Sequence, residues 1–303
     1  SIIAIIIAYI IYKLFENFPG LDIIDISELL GGKTFKNILG IIFITFFIFS
    51  SSMLIRNFCE ILKVIYYPMT NIIFIISIFI IAVCTANKLD FTATLKTNTL
   101  ILPLVLLSML FLFFANIKNF VPQRIFPILG DGLFNTFGIG IINLSSFSGI
   151  VSLYFIPPLL KNPKNMKKVT LISVGISAIY LILCVSALLF MFSFYIDTNE
   201  ITPLYNATRY IEFGSFFQRL EAIFLLFWIL AFACYISIVI KFSMRIFQKL
   251  TNIENKKILI DIFGLLIFGI SLLPKDYSIS ENYEITIYRY LVLGITFFLS
   301  LSI

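Results

Sequence analysis

GIGIINLSSFSGIVSLYFIPPLL, residues 138 to 160, is apolar enough at both ends to cross a bilayer, yet its middle reads Asn143, Leu144, Ser145, Ser146, Phe147, Ser148, Gly149. Hydroxyls and a glycine stand where bilayer depth normally calls for leucine. Backbone left unpaired in lipid costs several kcal/mol, so a non-helical stretch survives there only when it faces protein or a polar cavity. Discontinuous spans of this kind form the midplane ligand sites of secondary transporters. A second reading stands beside the first: a continuous helix whose serines bond back to its own carbonyls and whose Gly149 packs against a neighbour.

The surroundings make the membrane setting plain. The 303 residues are 60% hydrophobic and 13% charged, far from the roughly 25% charged residues of soluble domains. At about 20 apolar residues per crossing, nine spans are expected: 1–18, 37–66, 71–86, 99–115, 138–160, 168–195, 216–247, 257–274 and 285–303. This is an all-α polytopic membrane protein, read as a single membrane domain over 1–303. The connectors 13–37, 87–98, 161–168 and 241–257 carry 14 of the 22 Lys and Arg residues, which places them together on the cytoplasmic side. Because the basic residues sit in these short connectors, the net charge of +6 reflects topology and gives no ground for nucleic-acid binding. Cys59, Cys84, Cys184 and Cys234 are mutually isolated and read as small apolar packing residues. The chain has no histidine, which excludes Ser-His-Asp triads, histidine-based zinc sites and imidazole proton relays, and with them most enzymes.

Ser1 stands inside an apolar run (SIIAIIIAYIIY) without an initiator methionine or a basic leader, so further sequence upstream is expected. An internal repeat points the same way. Leu29 to Leu39 (LLGGKTFKNIL) and Ile211 to Glu221 (IEFGSFFQRLE) each precede a long apolar span, with Gly32 matching Gly214 and Phe35 matching Phe217. The charge count puts the first connector inside and the second outside, so the two units are expected to be inverted. Residues 138–303 then form one five-span repeat and 1–115 the remainder of the other, whose first, broken span lies upstream in a ten-span parent.

Ser145, Ser146, Phe147, Ser148 and Gly149 are the leading ligand-binding candidates. A helix break offers free amide N–H groups to a carboxylate and free carbonyls to an ammonium without placing a formal charge in the membrane. The first half-helix is expected to end near Asn143 and the second to restart near Ile150. Pro157 and Pro158 either kink the second half or end it ahead of Lys161, and termination is the reading adopted. Thr45 and Ser50 on the helix from Asn37, and Trp228 on the helix from Phe216, are further candidates because equivalent helices of a two-repeat fold line one cavity. Arg56 and Glu60 stand four apart and can pair. They, Glu221, Lys241 and Asp261 lie within snorkelling reach of the interface, and none is a midplane ion-coupling carboxylate.

These residues resemble a family. Glu28-Leu-Leu-Gly-Gly-Lys33, Arg56-Asn-Phe-Cys-Glu-Ile61, Ser145-Ser-Phe-Ser-Gly149 with Leu159-Leu-Lys-Asn-Pro-Lys164, and above all Ala207-Thr-Arg-Tyr-Ile-Glu-Phe-Gly-Ser-Phe-Phe-Gln-Arg-Leu-Glu-Ala222 resemble the B subunits of spore germinant receptors, the GerAB-like spore permeases. The resemblance implies an amino acid/polyamine/organocation permease fold of the LeuT type, with ten helices in two inverted repeats. It further implies nutrient sensing, commonly of amino acids, in the inner membrane of an endospore, beside a channel-forming A subunit and a C lipoprotein subunit. No cofactor is implied. Two departures stand out: the family often places an acidic residue after the glycine of the broken span, where this chain has Ile150-Val151, and a second proline after Thr70, where it has Asn71. The expected function is therefore a germinant-sensing subunit that binds a small polar nutrient at the broken span. The alternative is an active amino acid permease of the same fold.

Overall fold

The structure is a computed structural model that describes residues 2–89, 91–126, 132–192, 202–211, 220–253 and 255–298. Its elements are helical throughout, with no strand among the described residues. In chain order they are α1 (Ile2–Asn17), α2 (Ile23–Tyr66), α3 (Ile72–Asn87), α4 (Phe91–Ala115), a 3₁₀ helix (Ile139–Phe155), α5 (Met166–Met191), α6 (Pro203–Arg209), α7 (Leu220–Thr251), α8 (Lys256–Ser271), α9 (Tyr277–Tyr283) and α10 (Arg289–Leu293). Single π-helical turns at Glu284–Tyr288 and Gly294–Phe298 flank α10. Among the described residues, five helices are long and apolar enough to cross a membrane: Ile23–Tyr66, Ala93–Ala115, Phe134–Phe155, Pro163–Met191 and Glu221–Thr251. Ile72–Asn87 is equally apolar but shorter. The chain is thus a polytopic membrane protein.

Local chemistry sets the helix starts. Asp22 accepts from the amides of Ile24 and Asp25 at 3.1 Å each, while Asp25 Oδ2 accepts from the Asp22 amide at 3.2 Å, a reciprocal capping box that satisfies otherwise orphaned donors. Asn71, Asn255 and Asp276 cap α3, α8 and α9 more simply, each side chain accepting from one backbone amide of the first turn. The polar connector expected before Asn37 is itself largely helical, because this box nucleates α2 at Ile23. Gly32, at φ 70° and ψ −170°, then kinks the helix in a region that L side chains rarely enter. Lys36 and Glu28 pair across the kink at 2.8 Å.

Two compact units emerge. One comprises Ser1–Phe91, Ile142–Gly175 and Ile236–Ile303; the other comprises Thr92–Ile141 and Ile176–Tyr235. They follow packing rather than chain order, so each draws on both halves of the sequence. In the first, α8 packs against α2 and α3. A Cβ on Gly264 of α8 would collide with Cys84 Sγ on α3, so the glycine permits the close helix approach typical of membrane bundles. In the second, Met109, Leu112, Cys184, Ala187, Met191, Ala207 and Ile211 form the core. The buried Asn116 ties α4 to α6 by donating to the carbonyls of Leu112 at 3.0 Å and Ala207 at 3.2 Å.

The ion pairs of the first unit gather the basic connectors. Lys249 binds Asp22 and Asp25 at 2.6 Å each, Lys88 binds Asp261 at 3.0 Å, and Lys167 lies 5.8 Å over the Tyr12 ring. Segments 13–37 and 241–257 thereby meet, while Lys88 of segment 87–98 reaches α8 and Lys167 of segment 161–168 reaches α1. Two of the charged residues are held inside the protein. Arg56, only 3% exposed, pairs with Glu60 at 2.7 Å and donates to the carbonyls of Ser271, the last residue of α8, and Lys275 just after it. Lys241, only 2% exposed, donates to the Leu89 carbonyl at 2.9 Å. Buried carbonyls at helix ends need donors, and a long cationic side chain inside the bundle supplies them.

Candidate functional site

The opening stretch forms a tight, unusual helix. Residues 139–155 wind as 3₁₀, preceded by a π-turn at Phe134–Gly138, and only Phe147 leaves helical geometry, at φ −95° and ψ 24°. A 3₁₀ helix rises about 2.0 Å per residue, so 17 residues reach roughly 34 Å instead of roughly 26 Å in an α-helix. That is enough for a bilayer core of about 30 Å. Runs of this length are uncommon and mark hinges or strained sequence. The break therefore falls inside the predicted window. It is a one-residue kink rather than two separate helix ends at Asn143 and Ile150, because the tighter winding absorbs the serines.

Winding also decides which residues share a face. With three residues per turn, positions i and i+3 eclipse. Ser146, Gly149 and Ser152 form one row, Ser145, Ser148, Val151 and Tyr154 a second, and Leu144, Phe147, Ile150 and Leu153 a third. Ser146 and Gly149 are exposed, and a Cβ on Gly149 would meet nothing within 4 Å. Ser145 and Phe147 are buried and Ser148 is half-buried.

The half after the kink is clamped by rings. Phe155 lies 5.0 Å from Phe43, 5.6 Å from Phe47 and 5.5 Å from Phe242, and Tyr154 lies 5.8 Å from Phe43 and 6.4 Å from Phe15. Six aromatics from α1, α2, the 3₁₀ helix and α7 thus pin one side of the kink. On the other side Asn143 and Ser146 are exposed. A fixed half joined through Phe147 to a less packed half is the arrangement a hinge requires.

Of the other predicted residues, Ser50 is fully buried on the α2 face that carries Phe43 and Phe47, and its hydroxyl donates to the Phe47 carbonyl at 3.1 Å. Thr45 is exposed on the opposite side of α2, two residues from either phenylalanine. Trp228 stacks along its own helix, 5.9 Å from Phe224 and 6.3 Å from Phe232. Gly214 and Phe217 of the predicted repeat lie outside the described residues, as do residues 212–219 of the string Ala207–Ala222.

Two residues escaped the sequence-based selection. Arg289, at the start of α10, donates to Asn143 Oδ1 at 3.3 Å, two residues before the serine run. The site is therefore not built from neutral groups alone. The signal was present in the sequence, since an arginine within an apolar span is a functional hypothesis by default. The π-turn Glu284–Tyr288 delivers Arg289 to this position, and Tyr288 of that turn stacks on Phe46 of α2 at 6.1 Å and 7°. The second is Ser51, fully buried one position beyond Ser50. Among the described residues its hydroxyl has no hydrogen-bond partner, which is costly for a buried group and calls for an explanation.

Comparison with known proteins places this geometry in context. The spore permease family, described as "Spore germination protein", matches residues 1–279. The spore germination protein YndE of Bacillus subtilis (strain 168) is 26% identical over 283 residues, covering 91% of this chain and 76% of that protein. No solved structure matches.

Proposed function

This chain belongs to the spore permease family of germination proteins, and we propose that it is the nutrient-sensing subunit of a germinant receptor in the spore inner membrane, with a small amino acid as ligand. The carrying observation is the Arg289 guanidinium held against Asn143 at the head of the serine-lined kink. A guanidinium presents a planar fork of donors that matches a carboxylate. In this reading Arg289 takes the ligand carboxylate, Ser146 and Ser148 add hydroxyl contacts, and Asn143 with the carbonyls around Phe147 receives the ammonium. Gly149 leaves the space into which the ligand backbone fits.

Signalling follows from the hinge. A ligand that binds one setting of the kink more tightly shifts the population towards it, and a channel-forming A subunit and a C lipoprotein subunit respond to that setting. The order of elements supports an internal repeat: α2, α3 and α4 are followed in the same order by α6 with α7, then α8, then Tyr277–Phe298, with α3 starting at Ile72 and α8 at Lys256, 184 residues on.

The test is a germinant panel on spores carrying Ser146→Leu or Gly149→Leu. Both positions are exposed, so the protein is expected to accumulate normally while its response moves to higher germinant concentration. Unchanged concentration dependence at normal protein level would remove the site assignment. Reconstituted vesicles separate sensor from transporter: binding without net uptake is expected, and robust counterflow of labelled amino acid would establish an active permease instead.

A further inference from the structure

The second compact unit holds a cavity of about 300 Å³ lined by Leu104, Leu107, Ser108, Phe111, Leu112, Thr208, Ile211, Ile223, Phe224 and Phe227. Its chemistry is one-sided. Among the described residues of the lining, the two hydroxyls turn back to their own helices, Ser108 donating to the Val105 carbonyl at 2.8 Å and Thr208 to the Tyr205 carbonyl at 2.6 Å. The walls thus ask no hydrogen bond of an occupant. A polar nutrient would lose its own hydration there without replacement, and water needs two to four polar partners to be held. Left empty, the lining would lose dispersion contacts on its open side.

The rim identifies the occupant. Leu100, Leu104, Leu107, Phe111 and Phe114 are all exposed and recur at the three- and four-residue spacing of one α4 face. Because α4 spans the membrane, that face meets the bilayer, and Leu104, Leu107 and Phe111 also line the cavity. The hydrocarbon surface runs without a polar interruption from the outside of α4 into the interior. We propose that this cavity is a lipid site that takes one acyl chain of a bilayer phospholipid, inserted between α4, α6 and the start of α7. Its volume equals that of about ten waters at roughly 30 Å³ each, and a chain of methylene groups of similar size fits it. The headgroup stays at the interface, since the lining offers it nothing.

Trp228, the chain's single tryptophan, reports on the site, since its ring lies 5.9 Å from that of the lining residue Phe224. The full chain is reconstituted in phosphatidylcholine vesicles with rising fractions of phosphatidylcholine brominated in mid-chain, and Trp228 emission is followed. Saturable quenching at low fraction is expected in the wild type. Ser108→Leu, which fills the cavity at no polar cost, should require a several-fold higher fraction. Ile223→Phe, at the exposed edge, serves if Ser108→Leu does not fold. Coincident quenching curves for wild type and a filled variant of equal helix content would overturn the proposal. So would quenching by a free bromoalkane that filling abolishes while the brominated phospholipid quenches both proteins alike, since the cavity would then hold loose hydrocarbon only.

Discussion

Replacing Arg289 by glutamine tests the ligand site most sharply, because it removes a charge while keeping a hydrogen-bonding side chain beside Asn143. In the unliganded protein the change costs little. The contact is one 3.3 Å bond to a neutral amide, and such bonds contribute about 0.5–1.5 kcal/mol net. The liganded state loses more. A hydrogen bond between ionised partners is worth about 1.5–3 kcal/mol, and each 1.4 kcal/mol is tenfold in affinity. The germinant concentration for half-maximal response should therefore rise roughly 10- to 150-fold. Arg289→Lys should fall between, since it keeps the charge but loses the planar fork. The assay is germination of spores carrying each variant in place of the wild type, against amino acid concentration, with subunit level measured by immunoblot. If Arg289→Gln at normal level shifted the response by less than about threefold, Arg289 would not be the carboxylate contact.

Further outcomes follow from the packing. Phe155→Ala removes a ring that touches Phe43, Phe47 and Phe242, and a loss of about 3–5 kcal/mol should appear as a lowered Tm in detergent and poor accumulation. Gly264→Ala drives a methyl into Cys84 Sγ and should cost about 1–3 kcal/mol, with Cys84→Ala restoring the lost stability in the double variant. Lys249→Met should lower stability most at neutral pH. Burial already raises the Asp22 carboxyl above its ordinary range, and without Lys249 the folded state binds that proton more tightly still than the unfolded state. Stability then falls as pH rises through the window between the two values, so thermal unfolding at pH 7.5 and pH 4.5 should show the larger deficit at the higher pH.

Much of the fold was legible because the relevant signals are local. Apolar runs mark spans, and a serine-glycine cluster inside an apolar run marks a break, whereas the helix start at Asp22 and Asp25 lay inside what reads as a polar connector. What escaped was winding and partnership. Nothing in the composition says that Ile139–Phe155 coils as 3₁₀, yet that choice brings Ser146, Gly149 and Ser152 into one eclipsed row. Thr45 and Ser50 look alike in sequence, and only the position of Phe43 and Phe47 against Phe155 separates a buried hydroxyl from an exposed one. Arg289 was visible as a charge in an apolar run, but its neighbour Asn143 lies 146 residues away.

By itself the sequence determined that this is a polytopic membrane protein of the spore permease family with an interrupted span. Hydrophobic length, buried-backbone cost and charge asymmetry act within a single segment or its flanks and need no partner. The tertiary structure alone decided that the interruption is a kink at Phe147, clamped on one side by aromatic rings and approached by Arg289. Ring packing and side-chain hydrogen bonds are contacts between segments distant in the chain, and they exist only once the helices have been assembled.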